Sequence, residues 1–255
     1  MIFYFSATEN CKYVAEKIVI ATNDNIFSIT ECVNNDKLEF DLKNDELLGF
    51  VTPTYFWGLP LIVREFIKKL KLNTSDSGSH YCYSIATYDT TTGQVGRMLN
   101  DHLKERGFAL DGYFSVKTPD TWTPMYDLSD KDAVKRTLEI SRVQTEKVAT
   151  KVAQNLCGDF QDSKMPSLAV KLFYPTYERQ RKTEKFTVLE NCIGCGLCAK
   201  KCPSKAIHMQ ENRPIWVKDK CNLCLGCLHR CPKFSIQYGK KTQKHGQYVN
   251  PNTKI

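Results

Sequence analysis

Eight cysteines recur at a fixed interval towards the C-terminal end of this 255-residue chain. One run reads CIGCGLCAKKCPSKAI from Cys192, and a second reads CNLCLGCLHRCPKFSI from Cys221. Cys192, Cys195, Cys198 and Cys202 each have a counterpart 29 residues on, at Cys221, Cys224, Cys227 and Cys231; Pro203 and Pro232, like Ile207 and Ile236, keep the same offset. A duplication that preserves every cysteine answers to chemistry rather than packing. Each run has the C-x2-C-x2-C-x3-C-P spacing of iron–sulfur ligation. Three thiolates two residues apart can wrap one corner of a 4Fe-4S cubane, with Gly194, Gly196 and Gly226 relieving backbone strain in the tight loops. The fourth cysteine lies a turn further on and serves the other cluster in two-cluster proteins. The expected ligand sets are therefore Cys192, Cys195, Cys198 and Cys231 for one cluster, and Cys221, Cys224, Cys227 and Cys202 for the other. A pair of zinc sites would leave the third cysteine of each run idle. A disulfide framework suits small secreted domains, and the first residues show no secretory leader.

Some 185 residues precede these motifs, enough for a domain with its own core. Residues 2–5 are an apolar run suited to a strand buried on both faces. Ser6, Ala7, Thr8, Glu9, Asn10 and Cys11 follow, and KYVAEKIVIAT then reads as an amphipathic helix. Strand, short polar loop and helix N-terminus together make an anion site, since free N–H groups and the helix dipole converge there. Further strands are expected at residues 25–30, 47–52, 81–87 and 113–117. Helices are expected at 59–70 with Pro60 in the first turn, at 93–106 ended by Gly107, and at 129–156 with Ser129 as N-cap. Strands alternating with helices imply a doubly wound parallel α/β sheet of five strands, whose ligands lie beyond the strands' carboxyl ends. Three loops would meet there: Ser6 to Cys11; Pro53, Thr54, Tyr55, Phe56, Trp57 and Gly58; and Thr87, Tyr88 and Asp89 through to Gly93. Three adjacent aromatics in one loop suit covering a flat ligand, or else capping the sheet edge and packing on the second domain.

The N-terminal 160 residues resemble a flavodoxin, the segment from Phe186 to Tyr238 resembles a bacterial two-cluster ferredoxin, and the whole resembles the flavodoxin–ferredoxin fusion family. FSATENCKYVA is similar to that family's phosphate loop, PTYFWGLP to its second flavin loop and ATYDTTTG to its third; TPMYDLSDKDAVKR and the tail GKKTQKHGQYVNP also look like the family. The resemblance implies FMN bound across the three loops, with Trp57 and Tyr88 flanking its ring. It implies a flavodoxin-like FMN-binding domain at 1–160, an interdomain linker at 161–185 with FYPTY as an apolar anchor, and a ferredoxin domain with a basic tail at 186–255. Flavodoxins have Gly where this chain has Glu9, and Thr or Ser where it has Cys11. A left-handed backbone at Glu9 would cost about 1–2 kcal/mol, and an inward carboxylate would repel phosphate. Loss of a hydroxyl donor at Cys11 would remove about 1 kcal/mol more.

Composition narrows the function classes. Hydrophobic content of 42% and charged content of 25% are those of a water-soluble globular chain, and no apolar run reaches a bilayer's thickness. Cys11, Cys32, Cys82 and Cys157 are left as free thiols, which fits a reducing, cytoplasmic and anaerobic setting. The net charge of +8 gathers partly in residues 164–185 and in Lys240, Lys241, Lys244 and Lys254, a surface fitted to an acidic redox partner. No nucleic-acid motif is present. His80, His102, His208, His229 and His245 lack metal spacing and read as surface or supporting residues, and residues 73–79 (NTSDSGS) as a flexible connection. The expected function is electron transfer between FMN and two 4Fe-4S clusters, which needs no catalytic acid, base or nucleophile. Two rivals remain: an FMN/iron–sulfur oxidoreductase acting on a small organic substrate, and a ferredoxin whose flavodoxin-like domain is a cofactor-free docking scaffold.

Overall fold

Short apolar strands and amphipathic helices alternate through the first part of the chain, and their order fixes where four loops converge. The computed structural model describes residues 1–44, 46–74 and 80–254. The chain begins with β1 (Ile2–Tyr4), α1 (Asn10–Thr22), β2 (Ile26–Ser28), α2 (Ile29–Asn34), β3 (Glu39–Leu42), β4 (Leu48–Pro53) and α3 (Leu61–Lys69). It continues with β5 (Lys71–Thr74), β6 (Cys82–Tyr88), α4 (Val95–Lys104), β7 (Gly112–Lys117), α5 (Lys131–Ala153) and β8 (Gly158–Phe160). β2, β1, β4, β6, β7 and β8 lie side by side in that order, every pairing parallel. The five expected strands are all present, and β8 adds a sixth at the edge. The chain reverses its direction of travel across the sheet after β2, so the β1–β4 junction is the switch point at which such sheets open a crevice.

Adjacent residues of the strands face opposite ways. Phe3 and Phe50 meet Ile62, Phe66, Val95 and Leu99 of α3 and α4 on one face. Ile2, Val51, Ile85 and Phe114 meet Val14, Ile18, Val148 and Val152 of α1 and α5 on the other. The sheet is thus covered on both sides, as a parallel sheet must be. The cap of α5 is Asp130 rather than Ser129: its carboxylate accepts from the amides of Asp132 and Ala133 at 3.0 and 2.9 Å. The expected connection at 73–79 is partly a strand. Asn73 and Thr74 end β5, which pairs in parallel with β3 outside the main sheet, whereas residues 75–79 lie outside the described residues.

The second part runs α6 (Ser167–Phe173), α7 (Pro175–Gln180), β9 (Phe186–Val188), α8 (Leu197–Lys200), β10 (Ile207–Gln210), β11 (Arg213–Trp216), α9 (Gly226–His229), β12 (Ile236–Tyr238) and α10 (Thr242–His245). α8 and α9 sit 29 residues apart, at the interval of the cysteine runs. β9 pairs with β12 and β10 with β11, both antiparallel. A third core gathers Phe186, Ala206, Ile207, Leu223, Leu225, Leu228 and Ile236, with Tyr55, Phe56 and Trp122 of the first part packed against it. Residues 161–185 are more than a tether. Tyr177 donates from its hydroxyl to the Asn222 carbonyl at 2.7 Å, and the Tyr174 hydroxyl donates to the carbonyl of Leu59. The FYPTY anchor therefore grips both parts of the chain.

Candidate functional site

Loops after β1, β4, β6 and β7 surround one cavity of about 670 Å³, which opens at the switch point. Of the expected residues, Ser6, Ala7, Thr8, Asn10, Cys11, Pro53, Thr54, Tyr55, Phe56, Trp57, Thr87, Tyr88 and Asp89 line it, whereas Glu9, Gly58 and Gly93 do not. Gly93 works behind the wall. With φ at 56°, its missing side chain lets the Trp57 carbonyl approach to where a Cβ would stand 2.0 Å away, and the Gln94 amide donates to that carbonyl at 2.9 Å. The second and third loops are locked together by this contact. Gly58 similarly leaves room for the Tyr174 ring.

The aromatic loop is a tight turn. Tyr55 and Gly58 exchange both backbone hydrogen bonds, at 2.9 and 2.8 Å, around Phe56 (φ 49°) and Trp57 (φ 62°). Two left-handed non-glycine residues carry strain of order 1–3 kcal/mol each and persist only where their surroundings hold them. Here they are held from the second part of the chain: Phe56 stacks on Tyr177 at 5.0 Å, and Trp57 lies 4.1 Å from Phe173. The loop thus does both jobs weighed from sequence, walling the cavity and packing on the second domain.

In the first loop, Glu9 adopts φ 65° and ψ 4° as the N-cap of α1, the left-handed geometry anticipated for it. Its carboxylate is turned away from the cavity, onto Arg230. Cys11 is fully buried, with Sγ 3.2 Å from the Thr87 hydroxyl, and burial pushes its thiol up to about 12, so it stays neutral. Thr54 Oγ1 is buried and has no hydrogen-bond partner. With the hydroxyls of Ser6, Thr8 and Thr87, the first amides of α1, which have no partner within the helix, and two aromatic walls, it makes a donor set suited to a phosphorylated flavin. The volume falls within the range of roughly 300–1,000 Å³ usual for small-ligand sites. The residues fit FMN.

Three parts of the wall were not foreseen. Thr118, Pro119, Asp120, Thr121, Trp122 and Tyr126 follow β7 and form a fourth side. Leu223, Cys224 and Leu225, inside the second cysteine run, form the floor. The tail reaches the rim: the Tyr248 hydroxyl donates to Asn10 Oδ1 at 2.7 Å, the Asn250 side chain to the same oxygen at 3.2 Å, and the Asn250 amide to the Thr8 carbonyl at 2.9 Å. His229 is no surface residue; it is buried beneath this strap. Thr121 offers only a carbonyl and Tyr248 only an amide, so Nε2 carries the proton and donates at 2.8 Å while Nδ1 accepts at 3.2 Å. Burial pushes its pKa down to about 4.

Burial also lifts Asp120 to about 6, opposed by the Trp122 amide that donates to it at 2.7 Å and reinforced by Asp89. Its folded pKa lies above the ordinary 3.8, so the folded chain holds the proton more tightly and loses stability as pH rises from about 4 to 6. Asp120→Asn is accordingly expected to stabilise the flavin-free chain by about 2 kcal/mol at pH 8 and by almost nothing at pH 4, measured by urea unfolding at both pH values.

In the cysteine runs, the thiol neighbours of Cys198 include Cys195 and Cys231; those of Cys221 and Cys224 include Cys202, and those of Cys227 are Cys224, Cys221, Cys202 and, least, Cys198. Cys202 thus stands beside the three cysteines of the second run, and Cys231 beside Cys198 of the first. Among the described residues no three such side chains converge on a single ion; the thiolates of a cubane each meet a different iron and stand further apart. Gly194 and Gly196 have φ of 67° and 73°, whereas their counterparts Leu223 and Leu225 hold φ of 50° and 54° despite their side chains. That strain places two leucines against the cavity. Gly226 is helical, so its role is close approach rather than a left-handed turn: a Cβ there would stand 3.3 Å from the Ala7 carbonyl.

A flavodoxin-domain family model matches residues 1–148, and a 4Fe-4S dicluster-domain model matches residues 191–236. A polyferredoxin-like protein of Methanocaldococcus jannaschii is 41% identical over 68 residues, covering 22% of this chain and 40% of that one. A ferredoxin-like protein of a Nostoc species is 33% identical over 49 residues, covering 19% of this chain and 42% of its own. The matched stretches thus span less than half the length of these curated relatives. The Trp repressor binding protein of Bacillus subtilis, a solved structure, is 14% identical with a TM-score of 0.32 over 56% of this chain and 96% of its own.

Proposed function

Because this chain belongs to the flavodoxin family and carries a 4Fe-4S dicluster domain behind its flavodoxin domain, we propose that it is an electron-transfer protein whose flavin site and nearer cluster site share one wall. FMN would exchange one or two electrons and each 4Fe-4S cluster one. The observation that carries this reading is Cys224, which belongs to the second cysteine run and also lines the cavity of the flavin loops. Leu223 and Leu225, both buried, keep water out of that short gap. Trp57 and Tyr88 would wall the ring, and Ser6, Thr8 and the first amides of α1 would hold the phosphate. Cys221, Cys224, Cys227 and Cys202 would hold the cluster next to the flavin, and Cys192, Cys195, Cys198 and Cys231 the outer one. In a division at residues 160 and 185, the middle part acts as an anchor. Glu9 and Cys11 are the departures that favour a cofactor-free scaffold, yet Glu9 is paired with Arg230 and Cys11 is a buried, neutral thiol.

Anaerobically purified protein should contain about eight irons, eight sulfides and one FMN per chain. No flavin, and none taken up on reconstitution, would end this reading. Turnover with any of a panel of quinones or nitro compounds would instead favour the reductase.

The redox partner would meet the outer cluster, where Ile193 is 58% exposed, Cys195 is open to solvent, and Lys200 and Lys233 are exposed, the latter's carbonyl accepting from the Asn191 side chain at 2.9 Å. This fits an acidic partner, and a reducing cytoplasmic setting agrees with twelve unpaired cysteines. No helix among the described residues is long and apolar enough to cross a membrane. The paired replacement Lys200→Glu/Lys233→Glu is expected to slow reduction by an acidic ferredoxin-type donor roughly tenfold at low salt, the difference fading as salt is raised; stopped-flow rates would show it.

A further inference from the structure

Glu9 is the charged side chain of the first loop, and it does not face the cavity. Arg230 Nε and Nη2 both donate to Glu9 Oε1, at 2.9 and 2.6 Å, and Nη2 also donates to the Ser6 carbonyl at 2.9 Å. Both side chains are almost fully buried, at 9% and 5% exposure. The two residues are 221 positions apart, and Arg230 stands between Cys227 and Cys231 at the end of α9. Gly226 lets that helix press on the loop: a side chain there would meet Arg230 Nη1 at 3.1 Å and the Ala7 carbonyl at 3.3 Å. A dianionic phosphate in this loop would stand beside a buried carboxylate, a repulsion that a nearby guanidinium cancels.

We propose that Arg230, by pairing with Glu9, determines whether the first loop accepts the phosphate of its flavin, so that phosphate recognition at the N-terminal domain depends on a residue of the second cluster motif. The inference rests on the FMN reading above and goes beyond it. A clamp that merely held the two parts together would act on any flavin. One that acts through charge distinguishes FMN from riboflavin, which has the same ring and no phosphate.

Dissociation constants for FMN and riboflavin, measured by flavin fluorescence on the full-length chain with its clusters in place, test this. Arg230→Gln should weaken FMN binding roughly tenfold or more, while riboflavin changes by about twofold at most. Glu9→Gln, which leaves the charge of Arg230 uncompensated behind the first loop, should tighten FMN binding about threefold or more and leave riboflavin alone. The double replacement should return FMN affinity to within about threefold of the unmodified chain. Parallel loss of both flavins, or no loss of FMN in Arg230→Gln, would overturn the proposal. Were Arg230→Gln to lose iron, Glu9→Gln lies outside the cysteine runs and decides alone: no tightening of FMN sinks the idea. An unmodified chain that bound neither flavin would fail at the earlier step and take the FMN reading with it, whereas a wrong pattern in a chain that binds FMN removes only the role of Arg230.

Discussion

Cys202→Ser is expected to cost the protein about half its iron, and the iron lost is that held by the other cysteine run. Cys202 belongs by sequence to the run of Cys192, Cys195 and Cys198, yet its thiol faces Cys221 and Cys224. Cys231→Ser should do the reverse and remove the outer cluster. The two variants separate further through the flavin. Losing the cluster beside Leu223 and Leu225 should abolish rapid reduction of FMN by the chain's own iron, because the remaining centre is one cluster more distant. Losing the outer cluster should spare that internal step and slow only reduction by the partner. Iron and sulfide counts, with stopped-flow spectra of the flavin, check both halves. If Cys202→Ser destroyed the cluster of its own run, the crossed assignment would fall.

Removing both clusters by chelation is expected to unfold the second part of the chain while the six-stranded sheet survives. Burial pushes the thiols of Cys198 and Cys224 up to about 11 and that of Cys221 up to about 12. Without iron these are neutral thiols; with iron they are thiolates held by the metal. Cys202 and Cys221 themselves belong to the third core. A segment of this size rarely sustains a fold without a metal or other cross-link. Limited proteolysis should therefore cut the chelated protein first within residues 186–245. FMN affinity should fall in the same sample, since the cavity loses the Leu223–Leu225 floor and the packing that holds Phe56 and Trp57 in their strained turn. Intact protease resistance after complete iron removal would contradict this.

The features legible in sequence were those carried by short-range pattern. The cysteine interval reappears as two equivalent helices, α8 and α9, and the alternation of apolar runs reappears as the order of the main sheet. β8 escaped notice because Gly158, Asp159 and Phe160 show no alternation and follow closely on α5. Neither Asp130 nor Ser129 stands out as a cap from composition, since both residue types serve; geometry selects the aspartate. What reads least well from the chain is what joins its distant parts. Glu9 looked like a defect in a phosphate loop until Arg230 stood beside it. His229 reads from sequence as a surface or supporting residue, and only the Thr121 carbonyl and the Tyr248 amide facing its two nitrogens show which. No periodicity announces contacts more than a hundred residues apart, because each is set by how the two parts dock rather than by the residues flanking either partner.

The strap formed by residues 247–250 bears on how the protein is made. Asn10 is held by Tyr248, 238 positions later in the chain. Synthesis runs from the N-terminus, and domains fold as they emerge; the sheet can therefore form on the ribosome while its phosphate loop waits, unfastened, for a segment not yet translated. Flavin acquired during that interval would be held by an unfinished rim, so durable loading belongs to the time after residues 247–250 have emerged and docked.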